Sequence, residues 1–360
     1  MKNNRIIYRI FIWLYLMALS NQIMGQSSDL YSLLTERYVD RPVAMYKGQF
    51  QMKTGYHFSL IRKMFDPDGE KIDLTENGLV AAKHLLPFNV KYGVLDFIQL
   101  NAGSEFASMG VRTQTVVTPG LGGSLSQSEL IRYNGFDDLY LGIDLSAPFK
   151  IRRINWLITG GIHLPVFNHE PEKPSHSYTI LDEETGDANL KYIYNNKFGS
   201  GIPVGRVGST IKLRLSLISL TGGFHYLGGL KEGESIQWNF RLVENKFEYE
   251  EELYQYHPGN QIEYYGECAI QAFNWFTIIG SFNGYQKKGG WSNITGKKVS
   301  YYDESLNQLA IGYEILASPM LRVEQYTLFP LSGKNVIGQW IFVTGISFNF
   351  ISSGYNSLMN

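Results

Sequence analysis

The sequence predicts an all-β chain, a transmembrane antiparallel up-and-down β-barrel of about 12 strands with short periplasmic turns and long extracellular loops. Three observations predict it. First, stretch after stretch alternates apolar and polar residues with period 2, the mark of strands whose two faces meet unlike surroundings. Second, the connections alternate between long and short, and both ends of the strand series fall on the short side. A soluble sandwich has no reason to keep that asymmetry. Third, charge recurs on one face of the strands and is almost absent from the other. Arg or Lys facing lipid at mid-depth costs roughly 2–4 kcal/mol, so a barrel must segregate charge in this way.

Composition agrees with the pattern. Only 18% of the 360 residues are charged and 14% are aromatic, with 37 Gly, 24 Tyr and 21 Phe. A formal net charge of −1 gives no basis for nucleic acid as a partner. The lone Cys268 excludes an intrachain disulfide framework and a cysteine zinc site.

Residues 1–25 read as a signal peptide: Lys2, Arg5 and Arg9 are basic, Ile10–Leu19 is an apolar core, and cleavage is expected after Gly25. That core is shorter than the roughly 20 residues of a spanning helix. No cysteine follows it to carry a lipid anchor. Beyond it, the best apolar run, Ile154–Phe167, is broken by Asn155, Gly160, Gly161 and His163. The expected organisation is a short periplasmic segment at 26–45, a barrel at 46–350 and a tail at 351–360, in a monomer exported to the bacterial outer membrane.

Taken in order, the first strand runs from Gln49 to Leu60, with Phe50, Met52, Tyr56 and Phe58 opposite Gln51, Lys53, His57 and Ser59. Asp66-Pro-Asp-Gly69 marks a loop tip. Phe88, Val90 and Tyr92 belong to the second strand, and Ile98, Leu100 and Ala102 to the third. Met109–Gly135, rich in Gly, Ser and Thr, reads as a long loop. Leu139–Leu145 and Ile154–Leu164 give the fourth and fifth strands, followed by a polar stretch at 168–201. The sixth sets Val207 and Ile211 against Arg206, Lys212 and Arg214, and the seventh sets Ile218, Leu220 and Phe224 against Ser219, Thr221 and His225. The excursion Gly228–Gly259 carries strand-like segments of its own around Trp238–Phe247. Ile262–Gln271 is the eighth strand, and the ninth ends near Tyr285. Leu309–Ile315 forms the tenth, the segment after Pro319 the eleventh, and Leu331–Asn335 leads to the twelfth, Trp340–Phe350.

The inward set defines the candidate permeation residues. Its acids are Glu105, Asp138, Asp144, Glu263, Glu267, Glu314 and Glu324; its bases are Lys53, Lys91, Arg206, Lys212, Arg214 and Arg322, with His57 and His163 beside them. The two signs nearly cancel, so the bore is expected to be held by opposite charges in pairs, or to form a conduit without strong ion selectivity. About 12 strands place it between barrels filled by side chains and those with an open channel.

Catalytic signals are weak. His225 sits in a Gly-rich run, but Leu227 occupies the place a serine needs. His57-Phe-Ser59 has a His-x-Ser spacing but points inward, away from lipid. No positioned base or oxyanion donors are legible, so no enzyme and no cofactor are expected. The acidic runs Glu170–Glu172, Asp182–Glu184 and Glu248–Glu252 read as solvated loops, without the convergent ligands of a cation site.

Asp40-Arg-Pro42, Lys47–Gly55, Leu86–Asp96, Phe136–Gly142, Gly161–Pro165 and Phe329–Asn335 together resemble outer-membrane proteins associated with meta-pathway phenol degradation. That resemblance implies a barrel transporting hydrophobic compounds, distantly similar to long-chain fatty-acid transporters. Those transporters carry an N-terminal hatch in the lumen, and Gln26–Arg41 is short for one. The final strand, with Gly345-x-x-Phe348-x-Phe350, resembles the segment by which the barrel-assembly machinery takes up its clients, although ten residues follow it. The resulting expectation is passive uptake of small, hydrophobic or aromatic molecules through a lipid-embedded barrel, the solute itself being unidentified. The alternative is a surface-interaction barrel with a closed lumen whose loops bind a partner.

Overall fold

A computed structural model describes residues 37–77, 80–117, 125–146, 153–167, 175–182, 187–193, 199–243, 246–294, 297–300 and 303–351. The expected signal peptide, Glu170–Glu172, Glu183, Glu184 and the tail after Ile351 lie outside these residues, as do the side chains of Glu248–Glu252.

Twelve strands build the barrel: β1 (Gln49–Phe65), β2 (Val80–Leu95), β3 (Ile98–Val117), β4 (Leu139–Ser146), β5 (Ile154–Leu164), β6 (Val204–Leu215), β7 (Ile218–Gly229), β8 (Asn260–Phe273), β9 (Phe276–Lys288), β10 (Glu304–Ser318), β11 (Leu321–Lys334) and β12 (Val336–Ile351). Each pairs antiparallel with its chain neighbours, and β1 also pairs with β12, from Gln49 opposite Ile351 to Leu60 opposite Trp340. The sheet therefore closes and has no free edge. Closure matters because lipid offers nothing to an unpaired backbone N–H or C=O.

Alternation along the strands is realised as expected. Leu141, Ile143, Leu145, Trp156, Val207, Ile211, Leu220 and Phe224 are exposed on the outer face. Gln99, Asp144, Lys212, Thr277, Glu314, Arg322 and Asn349 are buried within. Aromatic side chains cluster at both rims. At the short-turn end Phe273 stacks on Trp275 at 5.6 Å, and Phe50 meets Phe350 at 6.3 Å. At the opposite end Phe136 meets Phe167 at 5.1 Å, and Phe329 meets Trp340 edge-on at 4.7 Å. Two aromatic girdles around an apolar band are the outer surface of a membrane barrel.

Three sequence expectations about connections are corrected. β1 continues to Phe65 and β2 starts at Val80, well past the apolar pattern. Met109–Gly135, expected as a loop, is mostly strand: β3 continues to Val117, and Leu125–Phe136 pairs back onto it. Outside the lipid both faces of a strand meet water, so the alternation fades although pairing continues. Finally, the outer connection from β11 to β12 is the single residue Asn335, at a positive φ of 49° that asparagine tolerates. The long–short alternation therefore fails at the last hairpin. The strand-like segments in Gly228–Gly259 are real: Gly233–Val243 and Lys246–His257 form a hairpin that Trp291–Ile294 and Lys297–Ser300 extend to a second, four-stranded sheet.

Ile211 is half-exposed on the outer face, near the middle of the apolar band. Ile211→Arg is expected to lower the unfolding free energy in lipid vesicles by about 2–4 kcal/mol, measured by denaturant titration. An unchanged value would remove this face from the membrane.

Candidate functional site

The feature that organises the bore is the chain just before β1. Arg37–Arg41 form one tight turn, with Asp40 N and Arg41 N both donating to the Arg37 carbonyl at 3.0 and 3.1 Å and an Arg37–Asp40 ion pair at 2.6 Å. Pro42 lacks an N–H and cannot continue the turn. One turn of this kind sets Tyr38 and Arg41 side by side, and the Arg41 guanidinium lies 4.6 Å from the Tyr38 ring centroid.

Residues 38–46 then cross the barrel as a strap at the short-turn end. At its far side, Val39 is fully buried against Ala269 on β8 and Ile279 on β9, with Tyr326 beside them. It is a small apolar contact inside an otherwise polar bore. Tyr38 donates to Glu267 at 2.7 Å, and Arg41 forms an ion pair with Glu314 on β10. Lys212 Nζ donates to the Tyr38 carbonyl at 2.8 Å, and Arg214 donates to the Asp40 carbonyl at 2.6 Å. At its near side, Met45 N donates to Gln99 at 2.8 Å, Lys47 N to Asp96 at 3.2 Å and Gly48 N to the Gly93 carbonyl at 2.7 Å. A side chain at Gly93 would run into the Tyr46 carbonyl, so the strap approaches β2 through a position open only to glycine. Backbone groups that leave a sheet inside a barrel must find such partners.

The strap also explains the electrostatics. Burial, and then the Glu267 carboxylate, push the Tyr38 phenol well above its ordinary range, so it remains a donor. Lys212 Nζ also stands 4.8 Å from the centroid of that ring. Two cations and a neutral phenol thus meet the Glu267 and Glu314 carboxylates across the bore.

The candidate residues fall into three groups. Glu267, Glu314, Lys212 and Arg214 hold the strap. Two expected opposites pair within the wall: Lys53 with Glu324 at 2.6 Å, and Arg206 with Glu263 at 3.4 Å. The others sit apart. Asp144 accepts from both Gln99 and Asn101. Asp138 accepts from Ser200 N at 2.9 Å and Ser200 Oγ at 2.5 Å, fixing the chain that leads into β6. His163 packs on Tyr140 at 4.8 Å, and the Arg206 guanidinium lies 5.4 Å from the Tyr140 ring centroid. Glu105 is half-buried on β3, where its backbone carbonyl accepts from Asp137 N at 2.8 Å. Ser59 donates to the Lys83 carbonyl at 3.4 Å rather than to His57, so the His-x-Ser pair is not assembled. Among the described residues, no three metal-ligating side chains gather.

Two cavities flank the strap. One of about 510 Å³ lies along residues 41–46 and is lined by Lys91, Lys212 and Arg322. The other, of about 670 Å³, lies against β9–β12 and includes His57, Glu324 and Tyr326. Tyr38 and Arg41 border both. Sequence reading identified the wall charges but missed Tyr38, Asp40, Arg41 and Gln99. The available signal was the Tyr-Val-Asp-Arg run directly ahead of β1, charged and aromatic where a plain tether needs neither.

No protein-family model matches the chain, and no curated protein matches it in sequence. Among solved structures, it is similar to an outer-membrane channel from Pseudomonas putida F1, with 10% identity and a TM-score of 0.52 over 85% of this chain and 97% of that one. Two monoaromatic hydrocarbon channels align more loosely. CymD has 8% identity and a TM-score of 0.42, over 86% of this chain and 89% of its own. A TodX mutant has 9% identity and a TM-score of 0.45, over 89% and 94%. The first of these similarities establishes the fold: the chain is a closed 12-stranded barrel of the outer-membrane type.

A double-mutant cycle on Arg41→Met and Glu314→Gln, read by unfolding in vesicles, is expected to give a coupling of about 1–3 kcal/mol. Additive losses would show that the strap and β10 do not meet.

Proposed function

We propose that the chain is a passive outer-membrane channel for small molecules, with the strap as its narrowest point. The observation that carries this reading is the pair of cavities separated by Tyr38 and Arg41 inside a closed barrel. Each is of the size that holds a small organic molecule, within the roughly 300–1,000 Å³ usual for such sites. The walls of the larger carry both signs of charge together with Tyr326, which favours uncharged or weakly polar solutes there, whereas the smaller, with Arg41, Lys53, Lys91, Lys212 and Arg322 against Glu267, also suits an anion. The sequence resemblance to phenol-degradation-associated barrels makes small aromatic compounds the first class to try. Export to the outer membrane through cleavage after Gly25 belongs to the same proposal, supported by the basic and apolar N-terminal pattern and the lipid-facing belt. Movement would be down a gradient.

The second reading, a closed barrel that displays loops to a partner, is favoured by one observation. The four-stranded sheet of Gly233–Ser300 segments stands outside the barrel as a structured surface. Conductance separates the two. Wild-type protein in planar bilayers is expected to give small single-channel currents, and Tyr38→Ala with Arg41→Ala currents several-fold larger. Liposome swelling with small aromatic solutes is expected to follow the same order. No current and no swelling in either protein, with the barrel fold confirmed by heat-modifiable gel mobility, would refute conduction and favour the display reading.

A further inference from the structure

The outer surface of the barrel carries a groove that the channel reading does not use. It lies where β1, β11 and β12 meet at the long-loop end and encloses about 370 Å³. Its apolar part is formed by Leu60, Pro330, Trp340 and Phe342, and Trp340 and Phe342 are both about half exposed. Its remaining polar side chains are Arg62, Lys63 and Lys71, and no carboxylate lines it.

The basic cluster is a consequence of backbone register. Along β1, Ile61 pairs with Gln339 and Lys63 with Gly338, so Arg62 has no opposite residue on β12. Such a bulge interrupts strict alternation and brings two successive side chains to one face. Arg62 and Lys63 are accordingly both exposed. Lys71 arrives from the short strand Lys71–Asp73, which folds back on the end of β1 and places its Nζ 5.5 Å from the Phe65 ring centroid. Phe65 itself is buried over Gly338, where a side chain would strike its ring, so the floor is fixed. Asp73, the acid opposite Lys63 in register, is held by Thr75 at 2.9 and 2.6 Å. Among the described residues, none of the three cations forms an ion pair within 4 Å.

Three cations thus stand beside an aromatic slot on the lipid-facing side, at the level where headgroups of the outer leaflet meet the apolar band. The Asp73 carboxylate, within electrostatic reach of Lys63 and Arg62, offsets the repulsion among the three cations only in part, whereas a phosphate among them accepts several charge-assisted hydrogen bonds, with Arg62 able to bind it through two. We propose that this groove binds a phosphate-bearing lipid of the outer leaflet. Arg62, Lys63 and Lys71 hold the phosphate, and an acyl chain lies along Leu60, Trp340 and Phe342. The inference requires the barrel to stand in a membrane and does not require it to conduct.

The test uses the full-length protein, with bisphosphorylated lipid A and the same lipid dephosphorylated as probes, and lipid retention read by native mass spectrometry. The expected result is retention of the phosphorylated form about tenfold above the dephosphorylated one. Arg62→Ala, Lys63→Ala and Lys71→Ala combined should abolish the preference, while the charge-preserving pair Arg62→Lys and Lys63→Arg keeps it. Trp340→Ala should weaken retention of both lipids. Equal retention of the two lipids by wild-type protein would overturn the proposal. So would an unchanged preference in the triple variant, or competition by inorganic phosphate as effective as that by the lipid, which would mark a free-anion site.

Discussion

The backbone pairing of β1 with β12 is the constraint on which the rest depends. In lipid an open sheet edge has no partner, so the first and last strands must meet along their length, as Gln49–Leu60 and Trp340–Ile351 do. Closing the sheet at twelve strands gives a bore between those that wall side chains fill and those that leave an open aqueous channel. The strap at residues 38–46 lies within it.

That occupancy changes the meaning of the charges in the wall. Considered alone, the inward acids and bases nearly cancel and could have paired with one another around the barrel. Lys53–Glu324 and Arg206–Glu263 do so as ion pairs. Glu267, Glu314, Lys212 and Arg214 instead point at groups of the strap, two of them at its backbone carbonyls. Removing a partner from a buried charge is costly, and the strap supplies a partner to four wall residues at once. The ties of the strap are polar, and its apolar anchor against β8 and β9 is the small Val39.

The membrane-spanning half of each strand was legible because lipid on one side and a polar bore on the other impose a strict period of two. Ile211 against Lys212 and Phe342 against Val343 could be assigned to their faces from the sequence alone. Past the membrane that imposition ends, and the extensions of β1 to Phe65 and β3 to Val117 were not visible. The turn at Asn335 was hidden for a different reason, since its flanking residues Leu331–Lys334 look like a loop yet remain paired in a strand. The strap was illegible because nothing periodic marks it. Its contacts join residues as far apart in sequence as Tyr38 and Glu267 or Arg41 and Glu314, and only the closed barrel brings them together. Fold and wall charges could therefore be read from the residues, but the partner of those charges could not.

The most direct test of the central claim, that the strap lies within the bore, is cysteine cross-linking in native membranes. In a Cys268→Ser background, Val39→Cys combined with Ala269→Cys is predicted to form a disulfide under mild oxidation, detected as a mobility shift reversed by reductant. Failure of that pair to cross-link, while cysteines placed at Phe50 and Phe350 on the paired strands β1 and β12 do, would put the strap outside the barrel and contradict the account.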